Sequence, residues 1–372
     1  MKVTDLLSPA AIIDIDRLDT NIEAMALKAE ENGVGLRPHI KTHKCIEIGN
    51  RQKEAGAKGI TVSTPAEAQA FAEAGFTDIT YAVPLAPDKF DTMLSISKKV
   101  HLNVLVDNIT IVDLLAKFST ENNADFGVLL KVNCGNYRVG VDPTSQSALK
   151  LAEEISRKLN FEGILAHAGQ SYSARSIGEI KRIAEHEQDV MINFANSLRV
   201  EGIQTKTVSI GSTPTASLAD SFREGITEIR PGNYVFFDYT QAALGVCELN
   251  DIALTVLASV ISTSPGRVII DAGATALSKD LGPTQIDESG GYGKIIKDYH
   301  TSTIEEEFIL SSLSQEHGKI SIATEHSLKP GDAVRIFPNH SCLTVNLYDQ
   351  YYIVQNDSVV DKWKIQRQRL AS

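Results

Sequence analysis

The sequence is poor in cysteine, and its few cysteines are scattered. The 372 residues contain only four, Cys45, Cys134, Cys247 and Cys342, and no two of them form a Cys-x-x-Cys pair. This spacing excludes a disulfide framework and a zinc finger, and it is typical of a protein of the reducing cytoplasm.

Basic residues and long hydrophobic runs are also scarce. The chain has 36 Lys and Arg against 47 Asp and Glu, a formal net charge of −11. Because a nucleic-acid-binding surface needs clustered basic residues, we expect no nucleic-acid partner. No apolar run reaches the roughly 18 residues of a membrane span. The N-terminal stretch MKVTDLLSPAAIIDID has acids where a signal peptide needs an apolar core. The sequence therefore predicts a soluble, cytoplasmic protein without a membrane partner.

The sequence does contain a regular alternation of short apolar runs and amphipathic stretches. The runs are nearly continuously apolar, as expected for strands that are buried on both faces. Strands that alternate with helices indicate right-handed βαβ units and a parallel sheet. The eight predicted strands are 34–40, 58–64, 78–84, 101–108, 125–135, 161–169, 205–212 and 228–236, with helices at 16–32, 65–75, 109–119, 145–159 and 177–198.

Eight such units predict the α/β fold class and, within it, a (β/α)8 TIM barrel. A doubly wound sheet, the alternative, needs a glycine fingerprint after its first strand, and GLRPHIKTH has none. After Tyr239 the pattern changes to strand-like runs separated by turn residues, at 253–264, 266–273, 318–324, 332–339 and 343–356. We therefore predict two domains, a barrel over 1–240 and a C-terminal, mostly-β domain over 241–372.

In a TIM barrel, functional side chains follow the C-terminal ends of the strands. The first predicted strand ends in RPHIKTHK, and a buried lysine at this position is a nucleophile toward carbonyls because burial lowers its pKa. Strand seven leads into Gly211-Ser212-Thr213, where small residues at a helix start offer N–H groups to a phosphate. Together the two features favour a phosphate-bearing aldehyde cofactor. A solvated basic turn and an ordinary helix cap are the alternatives.

Other strand ends carry further candidate groups. Arg138 follows strand five, His167 and Tyr172 lie at and just after the end of strand six, and Gly232, Asn233 and Tyr234 lie in the last part of strand eight. Each has a structural alternative, such as a surface arginine or a core histidine with satisfied hydrogen bonds.

The C-terminal region contains the motif PNHSCLTVNL. In an extended segment, residues i and i+2 point to the same side, so His340 and Cys342 would converge. Imidazole and thiolate are zinc ligands, and two protein ligands leave positions open for water or substrate. A buried cysteine near a surface histidine is the alternative. Asp271, Glu316 and His317 are further polar groups that the sequence offers as ligands or supports.

These motifs, taken in order, resemble the D-threonine aldolase and D-serine dehydratase family. That family consists of pyridoxal-phosphate enzymes with an alanine-racemase-like fold. The resemblance covers almost the whole chain and is carried by AIIDIDRLDTNIEAM, RPHIKTHK, VNCGNYRVGV, HAGQSY, SIGSTPT, EIRPGNYVFFD, SQEHG and PNHSCLTVNL.

The resemblance implies a role for each candidate residue. Lys41, and not Lys44, corresponds to the Schiff-base lysine, and His340 with Cys342 corresponds to the divalent-metal ligands. It also implies a homodimer in which the C-terminal β-domain helps to complete the partner's site. The implied cofactor ligands are Gly211, Ser212 and Thr213 for the phosphate, Gly232 with Asn233 or Tyr234 closing that pocket, Arg138 near the phenolic oxygen and Tyr172 at the pyridine nitrogen.

The metal motif separates the branches of this family. Many aldolase-type members have His-x-Asp, which suits Mn²⁺ or Mg²⁺, whereas the Cys342 thiolate selects Zn²⁺ and resembles the dehydratase branch. We therefore predict Zn²⁺ for this chain, with Mn²⁺ or Mg²⁺ as the alternative. We therefore predict a lyase acting on 3-hydroxy D-amino acids, with D-serine dehydratase, giving pyruvate and ammonia, as the main activity. In it Lys41 removes the Cα proton and the metal binds the β-hydroxyl.

A D-threonine aldolase, giving glycine and an aldehyde, is the alternative; in it a base such as His167 takes the hydroxyl proton. An amino-acid racemase and a non-catalytic pyridoxal-phosphate-binding protein are less favoured, since neither requires stoichiometric zinc.

Overall fold

The computed structural model describes residues 1–288 and 290–367, which form two compact units. The barrel unit contains Met25–Ser171 and Gly178–Gly232, and the sheet unit contains Met1–Ala24, Tyr172–Ile177 and Asn233–Ile365. The helices are α1 (Ile15–Glu31), α2 (Ile46–Glu54), α3 (Pro65–Glu73), α4 (Phe90–Ser97), α5 (Ile109–Asn122), α6 (Gln146–Lys158), α7 (Ile177–Val200), α8 (Thr213–Leu218), α9 (Tyr239–Ala243), α10 (Ala274–Leu277) and α11 (Ser341–Val345). The strands are β1 (Ala10–Asp14), β2 (Gly35–Leu36), β3 (Ile60–Val62), β4 (Asp78–Pro84), β5 (His101–Val106), β6 (Gly127–Lys131), β7 (Asn160–Leu165), β8 (Thr207–Ile210), β9 (Glu228–Ile229), β10 (Leu254–Ser264), β11 (Arg267–Ile270), β12 (Gly293–Asp298), β13 (Thr303–Leu313), β14 (Gly318–Ile322), β15 (Ala333–Pro338), β16 (Gln350–Gln355) and β17 (Ser358–Lys364).

The barrel unit contains eight parallel strands in the order β2-β9-β8-β7-β6-β5-β4-β3. A parallel bridge between His39 and Thr61 joins the two ends of this sheet and closes it. Leu105, Leu129 and Leu165 form a fully buried cluster on adjacent strands. The predicted (β/α)8 TIM barrel is confirmed, and its strand ends bring together residues that are far apart in sequence.

The eight predicted strands are all present, and most are shorter than predicted. The first, predicted over 34–40, is only Gly35–Leu36, because Pro38 has no N–H to donate and a 3-10 turn follows at Ile40–Thr42. The predicted first helix, 16–32, is α1. Three later helices begin at side-chain caps, where Thr64, Asn108 and Ser145 accept backbone N–H groups.

The sheet unit is built on a nine-stranded sheet in the order β11-β14-β13-β12-β15-β10-β1-β16-β17. Because β11 also pairs with β10, the six strands from β11 to β10 in this order close into an antiparallel barrel. Its interior is apolar and includes Val256, Ile270 and Ile336. The predicted mostly-β domain is confirmed.

One strand prediction in the sheet unit is wrong. Residues 343–348 were predicted to be extended, but Ser341–Val345 is the short helix α11, and β16 starts at Gln350. His340 is the extended N-cap of α11, and the Ser341 N–H donates to the Asp238 carboxylate at 2.9 Å. These tertiary contacts override the β-propensity of Thr344 and Val345.

The sequence also missed four strands and does not settle the domain boundary. The strands that were not predicted are β1, β12, β13 and β17, and β13 begins with the acidic, outward-facing segment TIEEE. The boundary at residues 240 and 241 remains a prediction about domains. Among the described residues, no helix has both the length and the hydropathy needed to cross a membrane.

Candidate active site

Lys41 lies at the mouth of the barrel. It is the central residue of the 3-10 turn Ile40–Thr42, which follows β2, and its backbone N–H donates to His39 Nδ1 at 3.5 Å. Its side chain is half-buried. The second lysine of the motif, Lys44, instead forms an ion pair with the buried carboxylate of Glu67 at 3.5 Å.

Two buried basic side chains lie at the same end of the barrel. Lys131 ends β6 and Arg230 follows β9, and each is only 5% exposed. Burial and the nearby Arg230 charge lower the pKa of Lys131 to about 8. Burial also lowers the pKa of Arg230 to about 10, although Glu228 and Glu187 oppose this shift. The strand ends therefore concentrate positive charge that the barrel compensates only in part.

Two histidines border this basic cluster. Burial and the neighbouring cations, Lys41 first among them, hold the pKa of both His39 and His167 well below the usual value. Both rings are therefore neutral at pH 7. His167 Nδ1 lies 3.1 Å from the Gly211 carbonyl oxygen, so this nitrogen carries the proton and donates it. The other ring nitrogen, Nε2, then has a lone pair that can accept a proton.

The backbone of the Gly211-Ser212-Thr213 loop is held by hydrogen bonds to side chains of the barrel unit. The Gly211 N–H donates to Glu187 Oε1 at 3.1 Å, and the Ser212 N–H donates to Thr215 Oγ1 at 3.0 Å. Two of the N–H groups predicted to bind a phosphate are thus already used within the protein. Positively charged side chains and hydroxyl groups must therefore provide much of the binding to any anion at this position.

Gly232 forms the other side of this loop and has no room for a side chain. Its N–H donates to Thr213 Oγ1 at 3.3 Å. An added Cβ would lie 2.9 Å from the His39 carbonyl oxygen and 3.1 Å from Thr42 Oγ1. Only glycine fits this close approach of two backbone segments.

The barrel unit fits a phosphorylated aldehyde. Lys41, Lys131 and Arg230 surround a mouth where Glu187 and Glu228 are the buried acids nearby, and Glu228 already forms an ion pair with Arg37, so a dianion would be favourable there. Arg138 is exposed and lines a small cavity beside Lys131 and His167. Lys41 offers the amine that such an aldehyde requires.

Three predicted cofactor ligands lie in the sheet unit. The Tyr172 carbonyl accepts from Gln285 Nε2 at 3.1 Å, and Tyr234 is fully buried. The Asn233 carboxamide is buried and donates to Asp238 Oδ2 at 2.6 Å. The structure thus brings Lys41, Arg138, His167, Gly211, Ser212, Thr213 and Gly232 into one unit, and Tyr172, Asn233, Tyr234, His340 and Cys342 into the other.

His340 and Cys342 are neighbours, as predicted, although not on a strand. His340 precedes α11 and Cys342 lies in its first turn, and the imidazole and the thiol are hydrogen-bonded to each other. His340 Nδ1 lies 2.9 Å from Asp280 Oδ2. A carboxylate at one ring nitrogen fixes the tautomer and directs the other nitrogen to a metal.

The charges around this pair favour a cation. Burial alone would lower the pKa of His340, but hydrogen bonds to Asp280 and Cys342 and the charge of Asp238 raise it to about 11. Burial raises the pKa of Asp238, and the charge of His340 and the Asn233 amide oppose this shift. The groups at this position therefore fit a thiophilic divalent metal. Among the described residues, no set of three His, Cys, Asp or Glu side chains converges as a complete metal site.

Several site residues were not predicted. Lys131 ends a buried strand and Arg230 follows one, and the same position is what drew attention to the lysines of RPHIKTHK, so this signal also applied to them. Asp280 had no such signal because it lies in a loop far from the metal motif in sequence. Asp271, which the sequence offered as a support, instead accepts from the Ser259 N–H at 2.7 Å.

Comparison with known proteins identifies the family of both regions. The alanine racemase N-terminal domain family matches residues 13–240, and the serine dehydratase domain family matches residues 253–354. D-threo-3-hydroxyaspartate dehydratase of Delftia sp. (strain HT23) is 37% identical over 374 residues, covering 96% of each chain. D-serine dehydratase of Dictyostelium discoideum is 36% identical and also covers 96% of each chain. D-threonine aldolase of Arthrobacter sp. is 30% identical, covering 96% of this chain and 92% of its own.

A solved structure extends this similarity to three dimensions. A cysteine-to-alanine variant of D-threo-3-hydroxyaspartate dehydratase in the metal-free form superposes with a TM-score of 0.93 at 35% identity. The match covers 98% of this chain and 99% of that one. The chain therefore belongs to the alanine-racemase-like family of D-serine dehydratases and D-threonine aldolases, whose named members are lyases.

Proposed function

We propose that this protein is a pyridoxal-phosphate- and zinc-dependent lyase that dehydrates 3-hydroxy D-amino acids, with D-serine as the main substrate. The observation that carries the proposal is the His340–Cys342 pair with Asp280 on the imidazole, because this donor set selects a thiophilic metal. The similarity to D-serine and D-threo-3-hydroxyaspartate dehydratases supports the same reaction.

The two bound groups would supply the electron sink and the Lewis acid that removal of a β-hydroxyl requires. The cofactor phosphate would be held by Ser212 and Thr213 with the surrounding basic side chains. Lys41 would hold the aldehyde carbon, and His340 and Cys342 would hold the metal.

The residues of the barrel have separate tasks in this reaction. Lys41 removes the proton from the substrate Cα, which a positioned amine accelerates by roughly 10²–10⁴-fold. Lys131 and Arg230, buried beside it, stabilise negative charge that develops at the mouth. His167 stays neutral and keeps Nε2 as an acceptor, since its Nδ1 proton is directed to Gly211.

The experiment is an assay of separate products. We would incubate the purified protein with D-serine, D-threo-3-hydroxyaspartate and D-threonine, and measure 2-oxo acids, ammonia and glycine independently. A dehydratase yields equal amounts of 2-oxo acid and ammonia, with D-serine giving the highest kcat/KM. Glycine with an aldehyde, and without 2-oxo acid, would instead show the aldolase reaction.

The predicted homodimer belongs to the same proposal. Sedimentation or light scattering of the purified protein at assay concentration measures it directly. A catalytically active monomer would contradict the expectation that the partner's β-domain helps to complete the site.

A further inference from the structure

Asp238 is a buried carboxylate that contacts the metal motif without being one of its ligands. It is 1% exposed. Its Oδ2 accepts from the Ser341 N–H at 2.9 Å, and Ser341 is the residue between His340 and Cys342. Its Oδ1 accepts from the Gln241 N–H at 3.0 Å, which caps α9. Asp238 therefore ties the backbone of the metal motif to the start of a second helix.

A strained turn brings Asp238 to this place. After the 3-10 turn Asn233–Val235, Phe237 adopts a φ of 48° and its N–H donates to the Asn233 carbonyl at 2.8 Å. A bulky residue in this left-handed region is uncommon and persists only where surrounding contacts enforce it. The consequence is that the chain reverses, and Asp238 faces the side chain of Asn233.

Asn233 completes the connection to the thiol. Its Nδ2 donates to Asp238 Oδ2 at 2.6 Å, and it also lies 3.1 Å from Ser341 Oγ and 3.9 Å from Cys342 Sγ. Its Oδ1 is buried and has no hydrogen-bond partner among the described residues. Because the Asp238 carboxylate only accepts hydrogen bonds, the amide nitrogen of Asn233 must face it. The same amide nitrogen then also faces the Cys342 sulfur.

We propose that Asp238 is a positioning residue for the metal ligands and that it acts through Asn233 and Ser341. Asp238 orients the Asn233 amide so that it donates to the Cys342 sulfur, and it anchors the backbone between the two ligands. An N–H donor to a thiolate stabilises its anionic form and limits the charge that it gives to the metal. The Asn233 side chain thus serves the metal motif rather than the cofactor phosphate. This inference rests on the proposed metal site.

The test uses Asp238→Asn and Asn233→Ala in the full-length holoenzyme, with Asp251→Asn as the matched control. Asp251 is also a carboxylate of the sheet unit, and its Oδ2 caps the Glu248 N–H. Zinc affinity is measured by competition with a chelator, and the thiolate-to-metal charge-transfer band is recorded after Co²⁺ substitution. We expect both site variants to bind zinc about 10–100-fold more weakly, to shift the Co²⁺ band and to keep the visible cofactor absorbance. The control should match the wild type in all three.

The outcomes separate this inference from the function on which it rests. If the wild type binds no stoichiometric zinc, the proposed metal site and this inference both fail. If the wild type binds zinc and both variants keep its affinity and its Co²⁺ band, only the role of Asp238 is wrong. If Asp238→Asn does not fold, Asn233→Ala alone decides. Loss of cofactor from Asn233→Ala, with unchanged zinc affinity, would return Asn233 to the phosphate and overturn the proposal.

Discussion

The two units of this molecule present opposite charges at their candidate sites. At the barrel mouth, Lys41, Lys131 and Arg230 outnumber the buried acids, and burial lowers the pKa of the last two. In the sheet unit, Asp280, Cys342 and Asp238 border the imidazole and, against the effect of burial, raise the pKa of His340 to about 11. The first arrangement favours an anion and the second favours a cation. The proposed anion site and the proposed metal site thus lie in different units, so substitutions in each unit should have distinguishable effects.

Replacement of Lys41 should have the largest effect. Lys41→Ala removes the amine that holds the aldehyde and moves the Cα proton, so we expect turnover of D-serine to fall by about 10⁴-fold. The visible absorbance of the bound cofactor should change or disappear while zinc content stays at the wild-type level. Lys44→Ala is the matched control in the same motif, and it should keep the absorbance because Lys44 is engaged with Glu67. A normal spectrum in Lys41→Ala would identify another lysine.

Replacement of a proposed metal ligand should lower zinc content and keep the cofactor absorbance, the opposite of what we expect for Lys41→Ala. Cys342→Ala removes a thiolate ligand. Loss of a residue that only supports a metal ligand lowers metal affinity by up to about 100-fold, so we expect loss of the ligand itself to lower zinc affinity by more than that. Turnover falls with it, while cofactor absorbance remains. Metal analysis and a product assay measure the two effects. Cys247→Ala, a half-buried cysteine of the same unit, is the control; equal loss in both variants would exclude a specific role for Cys342.

The charge of the barrel mouth should appear in the pH dependence of stability. The pKa of Lys131 is about 8 in the folded protein and 10.5 in the reference state, so between these values the unfolded chain holds a proton that the folded chain has lost. Stability therefore rises with pH across this window. Across this pH window, we expect the difference in unfolding free energy between the cofactor-free wild type and Lys131→Met to increase by about 3 kcal/mol.

Urea denaturation at pH 7, 8.5 and 10.5 measures this difference. A bound phosphate would stabilise the charged form of Lys131 and reduce the pH dependence. A difference that stays constant with pH would show that Lys131 titrates normally, and that the mouth is less electropositive than its geometry indicates.

The smallest predicted effect concerns Asp280. Asp280→Asn keeps the size of the side chain but removes the charge that fixes the His340 tautomer, so zinc should bind about 10-fold more weakly. Chelator competition measures this change. Asp287→Asn is the control from the same loop, since Asp287 accepts from the Tyr239 hydroxyl at 2.7 Å instead. Wild-type affinity in Asp280→Asn would remove this carboxylate from the metal site.

Features that depend on residues close together in the sequence were predictable, and features that depend on residues far apart in the sequence were not. The barrel strands were predictable because continuous apolar runs such as GVLLK form buried strands almost regardless of context. The position after such a strand pointed to a lysine of RPHIKTHK, and the family resemblance then selected Lys41 over Lys44. The proximity of His340 and Cys342 was predicted correctly, but from an extended segment where the structure has the helix α11. This helix is held by Asp238, more than 100 residues earlier. Asp280 and the turn at Phe237 were not predictable, since their roles arise only from contacts formed in three dimensions.

The position of β1 has a consequence for how the protein is made. β1 lies between β10 and β16 and pairs Ile12 with Tyr352, residues from opposite ends of the sequence. A ribosome adds roughly 5–20 residues per second, so this first strand waits for its last neighbour through the synthesis of the entire barrel. The sheet unit is therefore assembled late, and nascent chains that stall before β16 leave β1 with an open edge to which other chains can pair.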